Sequence, residues 1–153
     1  MSLFLSTTVN RLDKKGRISV PSTFRAALSE QSFQGVVLFC SHHHACIEGF
    51  GWGYVEEMNT RLDTFDLFSD EQDDLATAIF ADCIQLPFDK EGRIILPFEL
   101  IAHAELDEQA SFVGLGRKFQ IWNPDNFQAR RVHARKNIRE QKLTLPKGDG
   151  GKS

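Results

Sequence analysis

Two short segments of the sequence combine basic residues with the residue types of a tight turn. Residues 13–17 read Asp-Lys-Lys-Gly-Arg, and residues 89–93 read Asp-Lys-Glu-Gly-Arg. An arginine at the end of such a turn can direct two parallel N–H groups at guanine O6 and N7, or clamp a phosphate. A lysine beside it can bind phosphate as a point charge. The candidate nucleic-acid contacts are Lys14, Lys15, Arg17, Lys90 and Arg93.

The same arginines also have a purely structural interpretation. In each segment the aspartate stands four residues before the arginine, and such a pair can serve only to hold the turn. The residues alone leave both possibilities open. The two segments are not equivalent, because Glu91 occupies the place of Lys15 and an acid repels phosphate. The first segment is therefore the better candidate for contact with DNA.

Each segment predicts the same local structure. Asp13 and Asp89 open a turn, because an aspartate carboxylate can accept hydrogen bonds from the backbone two residues on. Gly16 and Gly92 supply the positive φ that other residues adopt only at a cost. A short strand with alternating apolar residues follows, and a proline then starts a helix, where its missing N–H costs nothing.

A third group of reactive side chains lies at residues 40–46, which read Cys-Ser-His-His-His-Ala-Cys. Thiolates and imidazoles bind zinc and related metals, but a zinc site needs four ligands that converge, usually from two stretches. We therefore interpret His42, His43 and His44 as the exposed tip of a hairpin and assign no metal ligand. A metal-binding protein or an enzyme that uses the Cys40–Cys46 loop stays as the alternative function.

No other motif predicts catalysis or a bound cofactor. The sequence contains no Gly-x-Ser-x-Gly, no P-loop and no dinucleotide-binding fingerprint. His103 and His133 stand alone in their segments. We therefore expect a protein that is not an enzyme and that has no cofactor.

The composition is that of a globular protein with an uneven charge distribution. Of 153 residues, 41% are hydrophobic, and the formal net charge is −3. Residues 56–74 are mostly acidic and residues 117–142 mostly basic, so a local basic surface can bind a polyanion although the sum is negative. Three cysteines, no export signal and no long apolar run predict a cytoplasmic protein with free thiols.

Hydrophobic periodicity predicts an α+β chain. The predicted strands are 4–12, 17–20, 36–40, 46–50, 83–88, 93–96, 110–115 and 119–122. The predicted helices are 21–29, 54–62, 70–81, 97–104 and 125–140. We expect strands 4–12 and 17–20 to form a hairpin. Helix 125–140 has three interpretations: it contacts DNA, it is a solvated amphipathic helix with Phe127, Val132 and Ile138 facing inward, or it contacts a neighbouring subunit.

The order of these elements repeats, which indicates an internal duplication. The prediction places a first half at 5–62, an acidic connecting segment with a helix at 63–81, a second half at 82–137 and a flexible tail at 143–153. Each half alone would expose apolar strand edges. We therefore expect the two halves to interlock around a pseudo-two-fold axis.

These motifs resemble a known family. The pattern Asp-x-x-Gly-Arg-(apolar)-x-(apolar)-Pro occurs twice, and residues 114–122 read Gly-Leu-Gly-Arg-Lys-Phe-Gln-Ile-Trp. Nearly the whole chain resembles the MraZ family of bacterial transcriptional regulators, in the AbrB/SpoVT-like superfamily. The resemblance implies tandem swapped-hairpin β-barrel halves with flanking helices. The family signature Asp-x-x-x-Arg falls on Asp13 and Arg17 and again on Asp89 and Arg93.

The resemblance also implies a function and partners. The expected protein is a nucleoid-associated regulator that binds short G-rich direct repeats in promoter DNA of the division and cell-wall gene cluster. It is expected to form a homo-oligomeric ring and to have no membrane partner. Direct repeats require head-to-tail neighbours, and such contacts close into rings or extend as filaments. For helix 125–140 we favour a contact between subunits over a contact with DNA. In that contact the acidic segment 56–74 of one subunit faces the basic segment 117–142 of the next.

Overall fold

The computed structural model describes residues 3–148 and confirms the α+β class. Within those residues the backbone forms eight strands and five helices. The strands are β1 (Thr7–Arg11), β2 (Arg17–Ser19), β3 (Gly35–Cys40), β4 (Cys46–Phe50), β5 (Ile84–Pro87), β6 (Arg93–Ile95), β7 (Gln109–Gly114) and β8 (Phe119–Trp122). The helices are α1 (Ser22–Ala27), α2 (Trp52–Leu62), α3 (Asp70–Ile79), α4 (Phe98–His103) and α5 (Pro124–Gln141).

Six strands form one antiparallel sheet in the order β1-β7-β8-β4-β3-β5. The predicted hairpin of strands 4–12 and 17–20 is wrong, because β1 pairs with β7 and meets β2 only near the isolated bridge between Leu12 and Ile18. All five residues of β1 pair with β7, whereas β2 contains only three residues and would form a shorter ladder with β1. The longer ladder satisfies more backbone hydrogen-bonding groups.

Strands β2 and β6 form a separate two-stranded antiparallel ribbon. Ile18 pairs with Ile94 at its centre, and Arg17 pairs with Ile95. Ile18 and Ile94 hold the same position in their two sequence segments. The ribbon therefore brings the two Asp-to-Arg turns next to each other, although they are far apart in the chain.

The main hydrophobic core lies between this ribbon and one face of the sheet, which we call the inner face. Ile18 and Ile94 are each 1% exposed and pack with apolar residues of β3, β4, β7 and β8 and of helices α1 and α4. The rings of Phe24 and Phe119 lie at the centre of that core, 5.3 Å apart. Because successive strand residues point to opposite sides, burying both isoleucines turns their neighbours in the ribbon outward.

Helices α2 and α5 cover the opposite face of the sheet, which we call the outer face. Phe39 and Phe50 pack there with α2, and Trp122 packs with Phe127 of α5. The alternative in which helix 125–140 turns Val132 and Ile138 inward is wrong, since they are 63% and 51% exposed. Phe127 is the one buried residue of α5, so the C-terminal part of this helix finds little of its own subunit to pack against.

The element order β-β-α-β-β-α occurs twice along the chain, with α3 between the two occurrences. Strand β1 joins the β7–β8 pair, and β5 joins the β3–β4 pair. The limits 5–62, 63–81 and 82–137 stay a prediction. Of the predicted tail, residues 143–148 contain no helix or strand, and residues 149–153 lie outside the described residues. Among the helices of residues 3–148, none has the length and apolar character to span a membrane.

Candidate nucleic-acid interface

The first turn is built around the carboxylate of Asp13. Its Oδ1 accepts hydrogen bonds from the backbone N–H groups of Lys15 and Arg17 at 2.9 and 2.8 Å. Its Oδ2 accepts from Nε of Arg17 at 2.7 Å. Gly16 has a φ of 84° and donates its N–H to the carbonyl of Asp13 at 3.1 Å. One aspartate thus fixes both the backbone of the turn and the guanidinium at its end.

The second turn has the same geometry with one added contact. Asp89 accepts from the backbone N–H groups of Glu91 and Arg93 at 2.8 and 2.9 Å, and from Nε of Arg93 at 2.9 Å. Gly92 has a φ of 76°. The carboxylate of Glu91 also lies 3.5 Å from Nη2 of Arg93. An acid of the turn therefore lies beside Nη2 of Arg93, a donor that Asp89 leaves free.

Arg17 keeps its outer edge available for a ligand. With Nε bound to Asp13, its other N–H donors are on Nη1 and Nη2, and no side chain among residues 3–148 bonds them. Two donors of this edge are parallel, which is the arrangement that guanine O6 and N7 accept. Lys14 and Lys15 are exposed in the same turn, and Lys90 is exposed in the other. The structure thus places each predicted contact residue in one of two neighbouring turns.

Arg17 and Arg93 lie on the same, outward side of the β2–β6 ribbon. Arg17 is directly opposite Ile95, and Arg93 is directly opposite Ser19. The two arginines are therefore diagonal neighbours, which lie about 7–8 Å apart in such a pair of strands, with their Cβ atoms somewhat closer. B-DNA has a major groove wide enough to admit a two-stranded ribbon of this kind.

Both turns stabilise the charged form of their aspartate. The hydrogen bond from the backbone N–H of Arg17 holds the pKa of Asp13 below its ordinary value of 3.8. The backbone N–H of Arg93 lowers the pKa of Asp89 in the same way. The side-chain hydrogen bond to Asp89 in turn raises the pKa of Arg93. Both aspartates stay ionised at neutral pH, so they keep their hydrogen bonds to the arginine side chains.

The histidines of residues 40–46 do not gather around a common point. Nε2 of His42 lies 2.8 Å from the carbonyl oxygen of Ala78. The ring of His44 lies beside that of Trp122, with centroids 5.6 Å apart. No three His, Cys, Asp or Glu side chains within residues 3–148 are arranged to hold a metal ion. No observation in this part of the chain favours the metal-site alternative.

The cysteines of the same region are held in their neutral form. Burial raises the pKa of Cys46 to about 12 and that of Cys83 to about 11. Burial also raises the pKa of Cys40. A metal binds the thiolate, so a raised thiol pKa weakens metal binding at neutral pH.

Sequence reasoning misses a buried polar group at the centre of the outer face. Glu48 is paired in register with Gln120, and each is 8% exposed. The amide of Gln120 donates to both carboxylate oxygens, at 3.2 and 3.1 Å, and Nζ of Lys118 donates to one of them at 3.0 Å. Nε1 of Trp122 donates to the amide oxygen of Gln120 at 2.8 Å. Only the pairing of β4 with β8 reveals this group, since alternating polar residues in a strand usually predict solvent exposure.

A basic cleft of about 400 Å³ lies beside Glu48, between α5 and the β7–β8 turn. Arg131 of this cleft lies over the ring of Phe127 at 4.7 Å and donates to the hydroxyl of Thr7 at 3.2 Å. The cleft is on the outer face and the β2–β6 ribbon is beyond the inner face. Helix α5 and the two turns therefore do not form one continuous surface. The basic residues that line the cleft are Lys118, Arg130, Arg131 and Arg135.

One acid and one base of the two oppositely charged segments pair within a single subunit. Arg117 donates a hydrogen bond to Glu57 of α2, and its guanidinium lies over the ring of Tyr54 at 4.8 Å. This pair takes one base from the 117–142 segment and one acid from the 56–74 segment. Some of the opposite charges of the two segments thus pair within the subunit and are not free for a contact with another subunit.

Comparison with known proteins gives a family match over most of the chain. A family profile described as "MraZ protein, putative antitoxin-like" matches residues 3–52 and 79–144. Both Asp-to-Arg turns, the β2–β6 ribbon and the β7–β8 pair lie inside the matched ranges. The unmatched interval covers most of α2 and α3.

Individual relatives are similar over nearly their whole length. A protein of Gluconobacter oxydans (strain 621H) named "Transcriptional regulator MraZ" is 51% identical over 142 residues, which are 91% of this chain and 87% of that protein. Proteins of the same name from Rickettsia akari (strain Hartford) and Rickettsia rickettsii (strain Sheila Smith) are 44% and 46% identical over 145 residues. Each of these two alignments covers 95% of this chain and 97% of the relative.

Proposed function

The chain belongs to the MraZ family, and from that premise we propose that it is a DNA-binding transcriptional regulator that reads promoter DNA with the β2–β6 ribbon. Its relatives carry the name of transcriptional regulators, not of enzymes. The observation that carries the proposal is the anchored guanidinium of Arg17. It is held by Asp13 on the outward side of a projecting ribbon, with its Nη edge open.

The roles of the basic residues follow from their positions. Arg17 donates two N–H groups to guanine O6 and N7, because its Nε is already bound and its orientation is fixed. Lys14 and Lys15 bind phosphates on either side of that base. Arg93 and Lys90 contribute less, because Glu91 lies beside them and adds a negative charge. The first turn therefore supplies the sequence preference and most of the affinity.

The expected target is a set of short G-rich direct repeats in the promoter of the division and cell-wall gene cluster. A guanine preference agrees with the open Nη edge of Arg17, since a guanidinium fork fits guanine better than any other base. A protein with this target works in the cytoplasm, at the nucleoid. Whether it represses or activates transcription depends on where the repeats lie relative to the polymerase.

The decisive experiment measures binding to the promoter segment upstream of the chain's own gene by mobility shift at several salt concentrations. Arg17→Ala is expected to weaken binding by about 1–3 kcal/mol and to relax the sequence preference. Arg17→Lys keeps the charge but not the fork, so it should lose sequence preference while its salt dependence stays near that of the wild type. Lys15→Ala should weaken binding to all sequences and reduce the salt slope by about 0.9.

The matched control is Lys136→Ala, which removes one positive charge from α5 on the outer face. It should leave the sequence preference unchanged. If Arg17→Ala folds normally and binds the promoter as tightly as the wild type, the ribbon is not the DNA-reading element. Binding by Arg17→Lys with unchanged sequence preference would show that Arg17 contacts phosphate and not a base.

The proposed assembly is a ring in which the loop between α2 and α3 contacts the next subunit. This loop exposes Leu67 by 74% and Phe68 by 89%, and Phe68 has a φ of 67°, a backbone conformation that is costly for a phenylalanine. Acids surround both side chains, whereas arginines and a lysine line the cleft beside α5. The apolar residues bordering that cleft are Leu115, Phe127, Ala134 and Ile138.

Native mass spectrometry at low and high salt tests the ring. Phe68→Ser is expected to lower the mass of the assembly, because it removes the exposed aromatic side chain from the proposed contact. Leu145→Ser is the control, since Leu145 is equally exposed at 89% but lies outside the loop. A monomeric wild-type protein at micromolar concentration in low salt would overturn the ring, without bearing on the DNA contact of Arg17.

A further inference from the structure

Ile95 is an exposed apolar residue in the middle of the charged ribbon surface. It is 60% exposed, whereas its neighbour Ile94 is 1% exposed and belongs to the core. The corresponding residue of the first segment is Ser19, which is also exposed but polar. Nothing in the fold of the subunit requires an isoleucine at position 95, because the side chain points away from the core.

Ile95 lies directly opposite Arg17 in the β2–β6 register. Directly opposed residues of an antiparallel pair have Cβ atoms about 4.5–5.5 Å apart, and their side chains point to the same side. A surface that docks on this side of the ribbon and meets Arg17 therefore also faces Ile95. The carboxylate of Asp13 binds Nε of Arg17, which leaves the Nη edge of the guanidinium free to meet that surface.

The spacing matches neighbouring base pairs in the major groove. Base pairs are stacked about 3.4 Å apart, so a side chain about 5 Å from Arg17 reaches the pair next to the guanine. The major groove presents one large apolar group, the C5-methyl of thymine. Every other group that distinguishes the bases there is a hydrogen-bond donor or acceptor, and the isoleucine side chain can satisfy neither.

We propose that Ile95 contacts the C5-methyl group of a thymine in the base pair beside the guanine bound by Arg17. The inference rests on the proposed DNA-reading role of the ribbon and adds a second base preference to it. Ser19, opposite Arg93, lacks the apolar surface for such a contact. The residues opposite the two arginines therefore differ in what they can contact. Only Ile95, opposite Arg17, can contact a methyl group.

The test compares two versions of one promoter fragment, the segment upstream of the chain's own gene. One version contains thymine and the other contains deoxyuridine throughout, so the two differ only in the C5-methyl groups. The wild-type protein should bind the uracil version at least about fourfold more weakly, the effect of losing contact with one methyl-sized group. Ile95→Ser and Ile95→Ala should bind both versions with nearly equal affinity.

Val132→Ser is the matched control, because Val132 is as exposed as Ile95 but lies on α5. It should keep the wild-type ratio between the two fragments. Equal wild-type binding to both versions overturns the inference, and so does a wild-type ratio in a folded Ile95→Ala protein. If Ile95→Ala instead lowers the mass of the assembly and keeps the ratio, Ile95 contacts another subunit and not thymine.

The outcome also separates this inference from the proposed function. If the wild type binds neither fragment more tightly than an unrelated duplex of equal length, the DNA-reading role fails. If the wild type binds both promoter versions equally well and more tightly than the unrelated duplex, the DNA-reading role of the ribbon is supported and only the contact with the methyl group is wrong. Thermal unfolding of each variant, followed by circular dichroism, establishes that the compared proteins are folded.

Discussion

The carbonyl oxygen of Gly16 accepts a hydrogen bond from the backbone N–H of Leu96 at 2.8 Å. The reciprocal bond joins the carbonyl of Gly92 to the N–H of Val20 at 3.1 Å. The carbonyl of each turn glycine is therefore bonded by the segment that follows the other turn. Each turn is folded by its own aspartate, and these two backbone hydrogen bonds hold the two turns side by side.

The first prediction concerns the cost of a side chain at the turn glycines. Gly16→Ala should destabilise the fold more than Gly92→Ala. A Cβ at Gly16 would lie 2.7 Å from the backbone oxygen of Leu96, whereas a Cβ at Gly92 would first meet the flexible side chain of Arg25 at 2.6 Å. Urea unfolding measures both free energies of unfolding.

Gly116→Ala is the control, because it measures the cost of a positive φ without a steric clash. Gly116 also has a positive φ, of 90°, but no atom lies within 4 Å of the added Cβ. Gly116→Ala should therefore lower the free energy of unfolding only by the cost of the positive φ, about 1–2 kcal/mol. If Gly16→Ala costs no more than Gly116→Ala, the close approach to Leu96 does not constrain the turn.

The turns could be predicted from the sequence because each of them is determined locally. Asp13 makes all of its hydrogen bonds within four residues, so the residue types and spacing contain the information. The pairing of β1 could not be predicted in that way. The sequence favours a hairpin across the nearest turn, but β1 gains a five-residue ladder on β7, a hundred residues further along the chain. Such distant pairing leaves no signal in local spacing.

The orientation of α5 was also beyond local reasoning. Val132 and Ile138 are apolar, and apolar residues in a helix predict a buried stripe. The structure leaves both exposed because no helix or strand of residues 3–148 covers that part of the helix. These two side chains would be buried only if another molecule covered the helix, which agrees with the proposed assembly.

The second prediction concerns the pH dependence of stability. The pKa of Asp13 is lowered in the folded state, so its contribution to stability is complete above the ordinary value of 3.8 and is lost as the pH falls through the lower folded value. The free energy of unfolding should therefore decrease as the pH falls from neutrality to below 3.8. Asp13→Asn should show a shallower decrease, measured by urea unfolding across this range.

Asp63→Asn is the control for that titration. Asp63 is exposed, and its side chain makes no hydrogen bond to any residue among 3–148. Its variant should follow the wild-type curve. If Asp13→Asn also follows that curve, the hydrogen bonds from Lys15 and Arg17 do not stabilise the charged carboxylate enough to affect folding.

The third prediction concerns the buried polar group on the outer face. Glu48→Ala should destabilise the protein by about 1–3 kcal/mol, because it leaves Lys118 and the amide of Gln120 without their acceptor. Glu48→Gln keeps one acceptor oxygen and should cost less. Glu56→Ala, an exposed acid on α2, should be nearly neutral in the same unfolding measurement. Equal effects of Glu48→Ala and Glu56→Ala would show that the group adds nothing to stability.

The last prediction concerns the difference between the two turns. The carboxylate of Glu91 lies 3.5 Å from Nη2 of Arg93, and it replaces a base of the first turn with an acid. Glu91→Lys removes that competitor and creates a second Lys-Lys-Gly-Arg turn. Promoter binding should become tighter, and the salt slope should steepen by about 0.9 for each new phosphate contact. Binding isotherms at several salt concentrations measure both.

Glu140→Lys makes the same change of charge on α5, where the acid lies 3.9 Å from Lys136. A gain from Glu91→Lys that exceeds the gain from Glu140→Lys assigns the effect to the ribbon and not to net charge. Equal gains would mean that the second turn does not face DNA. In that case only one edge of the ribbon reads the promoter, because Arg17 and Arg93 are diagonal neighbours and a tilted ribbon brings only one of them to the bases.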